Sequence, residues 1–235
     1  MNRVQQIRKR CGVSKEGSEA MASESAHVDV LSEAFFEARR AELVRRVKPK
    51  RFEHSLGVSA TAARMARIYG ADEGLARLAG LLHDWDKGYD DAGILARVEE
   101  LGLSEQLADY LDMPHLLHGP TAAAALKRDF PQLPDDLLES IRLHTTGAVD
   151  MSDLDMIVYT ADAIEPSRDY PGIDALRDLV GAVDLQELYF STFQHVLENL
   201  VQRRKRIHPD TVTVWNHYVA CDKARKAEQR MKGNK

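Results

Sequence analysis

Two cysteines, Cys11 and Cys221, are all that the 235 residues contain. They lie at opposite ends and outside any metal-ligand spacing, which leaves out a disulfide framework and a thiolate zinc site and suits a reducing cytosol. Long apolar runs are missing too: no stretch approaches the roughly 18 to 20 residues that a membrane span needs, and no apolar run follows the basic N-terminus. Nor is there a surplus of positive charge, since 32 lysines and arginines stand against 37 aspartates and glutamates, a formal net charge of -5. With a pI near 6.0, the chain has no general attraction for a nucleic-acid backbone. Sustained period-two alternation and any repeat of about 20–50 residues are also absent, which points away from β architectures and solenoids. The expectation is a soluble, cytoplasmic, all-α chain that engages neither nucleic acid nor membrane.

What the chain does have is 44% hydrophobic residues, enough for one globular unit with a proper core. Residues 1–28 are polar, alternate in charge and read as a flexible N-terminal extension or a wrongly assigned start. The folded domain is expected over residues 29–221, followed by a basic, frayed tail over 222–235. A helical period runs through Val30, Leu31, Ala34, Phe35, Ala38, Ala41, Leu43 and Val44. Another places His54, Val58, Thr61, Met65 and Ile68 on one face. Gly70 ends that helix, and Asp72 caps the next, whose Leu75, Leu78, Ala79, Leu81 and Leu82 lead into His83-Asp84. Further helices are predicted over 92–101, 104–111, 121–130, 136–144, 154–165, 173–180 and 185–204, with a last one starting after His208-Pro209.

The chemistry-bearing residues sit at the ends and inner faces of these segments. His83 and Asp84 are adjacent, so their side chains diverge by about 100° on a helix and share an ion most easily near a helix end. His54 comes before them, and His118, His144 and Asp162 after. Two imidazoles and two carboxylates, His54, His83, Asp84 and Asp162, offer mixed nitrogen and oxygen donors with positions left open for water or substrate. Iron, manganese and zinc suit such donors about equally well. Taken singly, each histidine is more often a hydrogen-bonded core residue, and His115, His195, His208 and His217, which lack such company, are read as structural or solvated. Asp86 with Lys87 also fits a helix-end ion pair. Glu165 fits a helix-terminal carboxylate contacting loop amides, and Arg203 to Arg206 fit a solvated basic face.

Several ordered motifs sharpen this. Arg51-Phe52-Glu53-His54, His83-Asp84 with Lys87, His118-Gly119-Pro120, His144-Thr145-Thr146-Gly147, Asp162-Ala163-Ile164-Glu165-Pro166-Ser167-Arg168 and Pro209-Asp210-Thr211 follow one another in that order. In this the chain resembles the HD-domain metal-dependent phosphohydrolases, and within them the YqeK-like symmetrical bis(5'-nucleosyl)-tetraphosphatases, over roughly residues 45 to 220. The resemblance implies an HD-domain helical bundle with iron as the favoured ion, manganese, cobalt or zinc being alternatives. It implies cleavage of diadenosine tetraphosphate into two ADP. His54, His83, Asp84 and Asp162 would then be the metal ligands. Arg51, His118, His144, Thr145, Asp162 and Arg168 would line the nucleotide site, with His118 and His144 as alternative holders of a second ion. Asp86 and the long N-terminal segment depart from the family pattern.

The mechanism expected on physical grounds is attack by a metal-bound hydroxide on a phosphoryl group, with Asp84 orienting the water and Lys87 and Arg168 neutralising phosphate charge. Asp84 and Lys87 are thus the catalytic candidates. The expected partner is a small nucleotide, and a homodimer stays open. One alternative keeps the metal site but takes a guanosine alarmone or a nucleoside monophosphate. Another, from a different class, is a nucleotide-sensing adaptor without turnover.

Overall fold

The computed structural model describes residues 29–233; the extension expected at 1–28 and the last two residues of the tail lie outside the described residues. Among them are ten α-helices, two short 3-10 turns and no strand. In chain order the helices are α1 (Glu33–Arg46), α2 (Pro49–Tyr69), α3 (Glu73–Leu82), α4 (Asp91–Glu100), α5 (His118–Asp129), α6 (Asp135–Leu143), α7 (Asp153–Ile164), α8 (Ile173–Leu179), α9 (Leu185–Gln202) and α10 (Pro209–Gly233).

Local sequence sets most of the boundaries. Ser32, Asp72, Asp90, Ser152 and Asp184 each accept a hydrogen bond from a backbone N–H one turn into the following helix, and each such cap contributes about 1 kcal/mol. Ser152 does so within a reciprocal capping box with Asp155. Gly70 ends α2 in the left-handed region at φ 78°, which a residue with a Cβ adopts only under strain.

The bundle is built around α7, in which every residue from Leu154 to Ala161 is buried. A helix buried on all sides and mostly apolar belongs in the middle of a core, and α2, α6 and α9 all pack on this one. The α2 helix also runs along α3, and α5 pairs with α6. This arrangement turns the inner face of α2, the end of α3, the start of α5, the end of α6 and the last turns of α7 toward one another.

Some expectations fail locally. Val44 and Leu31 are exposed, as is Ile68; the last turn of α2 instead faces the α8–α9 connection, where the Tyr69 hydroxyl accepts from Gly181 N–H (2.9 Å). The helix predicted over 104–111 is reduced to a 3-10 turn at Ala108–Tyr110. An isolated helix that short is marginal, and contacts to other elements decide this one. Leu103, Leu107 and Tyr110 pack on Ile94, Val98 and Leu117, and the Tyr110 ring stacks on His208 with centroids 3.9 Å apart. The α5 helix starts at His118, three residues before the predicted start at Thr121. The α10 helix continues to Gly233, through the basic segment expected to fray, and its Arg225 donates to Asp184 (3.1 Å), Asp222 (3.0 Å) and Glu187.

Candidate functional site

At the end of α3, residues 83–88 form a tight run of turns before α4. Leu81 and Leu82 are buried and anchor its start. Its end passes so close to α1 that a Cβ on Gly88 would lie 2.1 Å from the Arg46 carbonyl oxygen, so glycine is required there. The back of the turn is held by Asp86, which accepts from Arg46 (3.0 Å) and Arg97 (3.2 Å). Arg46 also donates to the Trp85 carbonyl (3.1 Å) and lies over the Trp85 ring, 4.4 Å from its centroid. Asp86 is therefore not the partner of Lys87, and the helix-end pair read from the sequence is corrected. The front of the turn presents His83 and Asp84 inward, and the turn resolves the 100° divergence that a continuous helix would have imposed.

Four imidazoles converge here, all in the same manner. Nδ1 of His83 lies 2.8 Å from the Gly80 carbonyl, Nδ1 of His118 2.9 Å from the His115 carbonyl, and Nδ1 of His144 2.7 Å from the Ile141 carbonyl. Nδ1 of His54 lies 2.9 Å from Glu165 Oε1. Acceptors on that side assign the proton to Nδ1 and leave each Nε2 with its lone pair turned inward. These Nε2 atoms face two carboxylates: His54 is 2.8 Å from Asp162 Oδ1 and 3.8 Å from Asp84 Oδ2, His83 is 3.1 Å from Asp84 Oδ2, and His118 is 3.2 Å from Asp84 Oδ1. His118 and His144 bring their Nε2 atoms within 3.0 Å of each other.

So many acceptors pointed at one another call for positive charge between them. Part of it comes from Arg51, which donates to Asp84 Oδ2 (2.8 Å), and from Arg168, which donates to Asp162 Oδ1 (2.5 Å) and to its carbonyl (2.9 Å). Burial alone would raise the Asp84 carboxyl, but the adjoining His83 and His118 rings, in their protonated forms, hold it well below the usual carboxylate range. Burial would raise Asp162 as well, and the adjoining His54 ring, in its protonated form, and the Arg168 charge hold it far down. The field has the same sign at His83: burial, the largest single influence, lowers its pKa, but Asp84, Asp162 and the Gly80 carbonyl together outweigh it and the net shift is upward. His144, farther from the carboxylates, is pushed down to about 3, first by burial and then by its neighbours His118 and His83.

A divalent metal fits this arrangement. Nε2 of His83 is buried and has no hydrogen-bond partner, although such orphans are rare and costly. His54, His83 and Asp162 bring one donor atom each to within 4.8 Å of one another, as do His83, Asp84 and His144. Metal–ligand bonds of about 2.0–2.2 Å set neighbouring donors about 3 to 3.5 Å apart, and the imidazole–carboxylate distances among His54, His83, Asp84 and Asp162, from 2.8 to 3.8 Å, bracket that spacing.

Above the floor opens a cavity of about 280 Å³ whose lining includes Arg51, Asp84, Lys87, His118, His144, Thr145, Asp162 and Arg168. All sequence-derived candidates thus reach one place, with His54 and His83 beneath the rest. The Lys87 ammonium lies 3.2 and 3.3 Å from the two ring nitrogens of His118; burial lowers its pKa, Asp84 opposes that, and Arg51 adds to it. Three cations lining one cavity, Arg51, Lys87 and Arg168, suit a phosphate chain.

A family model described as HD domain matches residues 51–167, the span that carries this floor. Three curated proteins, each named symmetrical bis(5'-nucleosyl)-tetraphosphatase, align over most of their length. That of Halalkalibacterium halodurans is 33% identical over 75% of this chain and 95% of its own. Those of Staphylococcus aureus and Bacillus subtilis are 33% and 31% identical, covering 74% and 72% of this chain and 89% and 90% of theirs. The chain belongs to the HD-domain family. A crystal structure described as a predicted HD superfamily hydrolase involved in NAD metabolism, from Clostridium acetobutylicum, superposes with a TM-score of 0.72 at 32% identity, over 79% of this chain and 97% of that one.

The HD domain here also uses residues to which the sequence gave no site role. Glu165 was read as a helix-terminal carboxylate for loop amides. It does accept from Ser167 N–H (2.7 Å) and from the Ser167 hydroxyl, but it also bonds and orients His54. A Cβ on Gly57 would meet its Oε2 at 2.5 Å, so that glycine lets the carboxylate approach α2. His115, Leu116, Tyr159 and Val196 line the cavity. No spacing marked them, because they arrive from three elements, His115 and Leu116 from the 3-10 turn at Pro114–Leu116, Tyr159 from α7 and Val196 from α9, and two of them are apolar. His208 stays structural: it is buried, with Nε2 3.1 Å from the Asp109 carbonyl. No helix among the described residues is long and apolar enough to cross a membrane.

Proposed function

We propose that this HD-domain hydrolase splits dinucleoside tetraphosphates at the central anhydride, diadenosine tetraphosphate giving two ADP, in the cytoplasm and with a divalent metal, iron first among the candidates. The observation that carries the reading is the floor of four like-oriented imidazoles and two carboxylates under a rim of three cations. The names borne by the relatives support the substrate class. When bound by His54, His83, Asp84 and Asp162, a divalent ion supplies Lewis acidity, lowers the pKa of a coordinated water and offsets phosphoryl charge.

The rest falls to the protein's own groups. Arg51, Lys87 and Arg168 hold phosphate oxygens, the two guanidiniums in bidentate fashion. They stabilise the negative charge that spreads over the transferring phosphoryl group, the larger share of such catalysis. Asp84, ionised and accepting from Arg51, orients the attacking water. His118, His144 and Thr145 line the phosphate path, and the Glu165 bond keeps His54 turned toward the centre.

Anaerobic loading with ferrous iron, followed by incubation with diadenosine tetraphosphate and a panel of other nucleotides, tests this when the products are identified. Two ADP per substrate is the expected result. ATP plus AMP, or turnover confined to a guanosine alarmone or a nucleoside monophosphate, overturns it. Elemental analysis of the purified protein separates iron from manganese, cobalt and zinc.

A further inference from the structure

Symmetrical cleavage makes a demand on shape. Water adds its oxygen to one inner phosphorus, the bridging oxygen leaves with the other, and both protons of the water are released as the two ADP ionise. A nucleoside diphosphate must therefore be seated on each side of the reacting anhydride. The cavity over the metal ligands, of about 280 Å³, is one place for such a seat.

On the far side of Arg51 and Arg168 lies a second recess of about 480 Å³, to which Lys48, Lys50, Ser167 and Tyr170 contribute. Arg51 and Arg168 are the residues the two cavities share, so they form a sill between them, and His54 lies in the wall of the second. The charge is one-sided, with Lys48, Lys50, Arg51 and Arg168 against Asp169. The two arginines are already engaged by Asp84 and Asp162, whereas the ammonium groups of Lys48 and Lys50 are exposed and have no hydrogen-bond or ion-pair partner among the described residues. They stand at the start of α2, whose first turn carries no acidic residue, so the positive end of the helix adds to their field. A recess bordering a phosphohydrolase centre, lined by free cations and an aromatic ring, has the chemistry of a nucleoside diphosphate site.

We propose that this second recess binds the departing nucleoside diphosphate, with Lys48 and Lys50 on its phosphates and Tyr170 beside the nucleoside, the phosphate chain crossing the Arg51–Arg168 sill. This rests on the reading under Proposed function and adds that Lys48 and Lys50 select dinucleoside substrates over mononucleotides, which leave the recess empty.

Two measurements on the full metal-loaded chain and its Lys48→Ala/Lys50→Ala variant test it; both lysines are exposed, so the variant folds. Equilibrium dialysis with labelled ADP is expected to give two ADP per parent chain and one per variant chain. In turnover of diadenosine tetraphosphate, KM is expected to rise about tenfold or more while kcat changes less, tenfold being the usual weight of a charge-assisted contact. A single ADP per parent chain, or a variant that keeps both ADP and the parent KM, overturns the second recess. The two readings fail separately. Two bound ADP reduced to one in the variant, without hydrolysis of the tetraphosphate, upholds the recess and removes the proposed activity. Hydrolysis to two ADP with one ADP bound and an unchanged variant KM does the reverse.

Discussion

Asp84 and Asp86 stand two residues apart on one turn, each 1% exposed, and they face opposite ways. Asp84 looks forward into imidazole Nε2 atoms and one half-buried arginine; Asp86 looks back into Arg46 and Arg97. The front carboxylate is surrounded by groups that leave room for a further cation. The back one already has its cations, fixed by a Trp85 face and by Glu100. Buried charge thus has two outcomes on one turn: paired within the protein it holds structure, and left in need of a partner it recruits a ligand.

Mutations can break or sharpen this contrast. The largest effect is expected at the front: Asp84→Asn should lower kcat on diadenosine tetraphosphate by about a thousandfold or more, at or beyond the upper range for one electrostatic group, with bound metal reduced in elemental analysis. Next, Lys87→Ala should cost about a hundredfold in kcat and leave metal content as it was; normal turnover would remove Lys87 from the mechanism. Glu165→Ala should free the His54 ring and weaken metal binding about 10- to 100-fold, read by titration against a competing chelator. At the back, Asp86→Asn should change kcat by less than about threefold in the folded, metal-loaded protein. Its cost should fall on stability instead, about 3 kcal/mol for a buried pair deprived of one partner. Differential scanning calorimetry should show this as a lower Tm, by about 6 to 12 °C for a chain of this size. Equal loss of activity at both aspartates would erase the distinction.

Helix periodicity made His54 point inward, because Val58, Thr61 and Met65 share its face and are buried with it. Capping chemistry placed Asp72 at a helix start, as the structure has it. Asp86 could not be understood in this way, since its partners lie 40 and 11 residues away and no local pattern links them. Glu165 was visible as a helix-ending carboxylate, but its bond to His54 spans 111 positions. The 104–111 segment had the composition of a helix and lost it to packing against α4 and the start of α10, an outcome that short-range propensity does not contain.

The sequence by itself determined the class, the approximate run of helices and the order of ligand-type residues, because period, caps and breakers act within a few residues of chain. Only the tertiary structure decided that His83 and Asp84 leave the helix on a turn pinned by Arg46 and Arg97. It alone turned four Nδ1 atoms onto acceptors so that four Nε2 atoms face one centre, and set Lys48 and Lys50 across the sill from Lys87. Such facts are relations between side chains brought near by packing, and their energies come from burial and distance, neither of which is written along the chain.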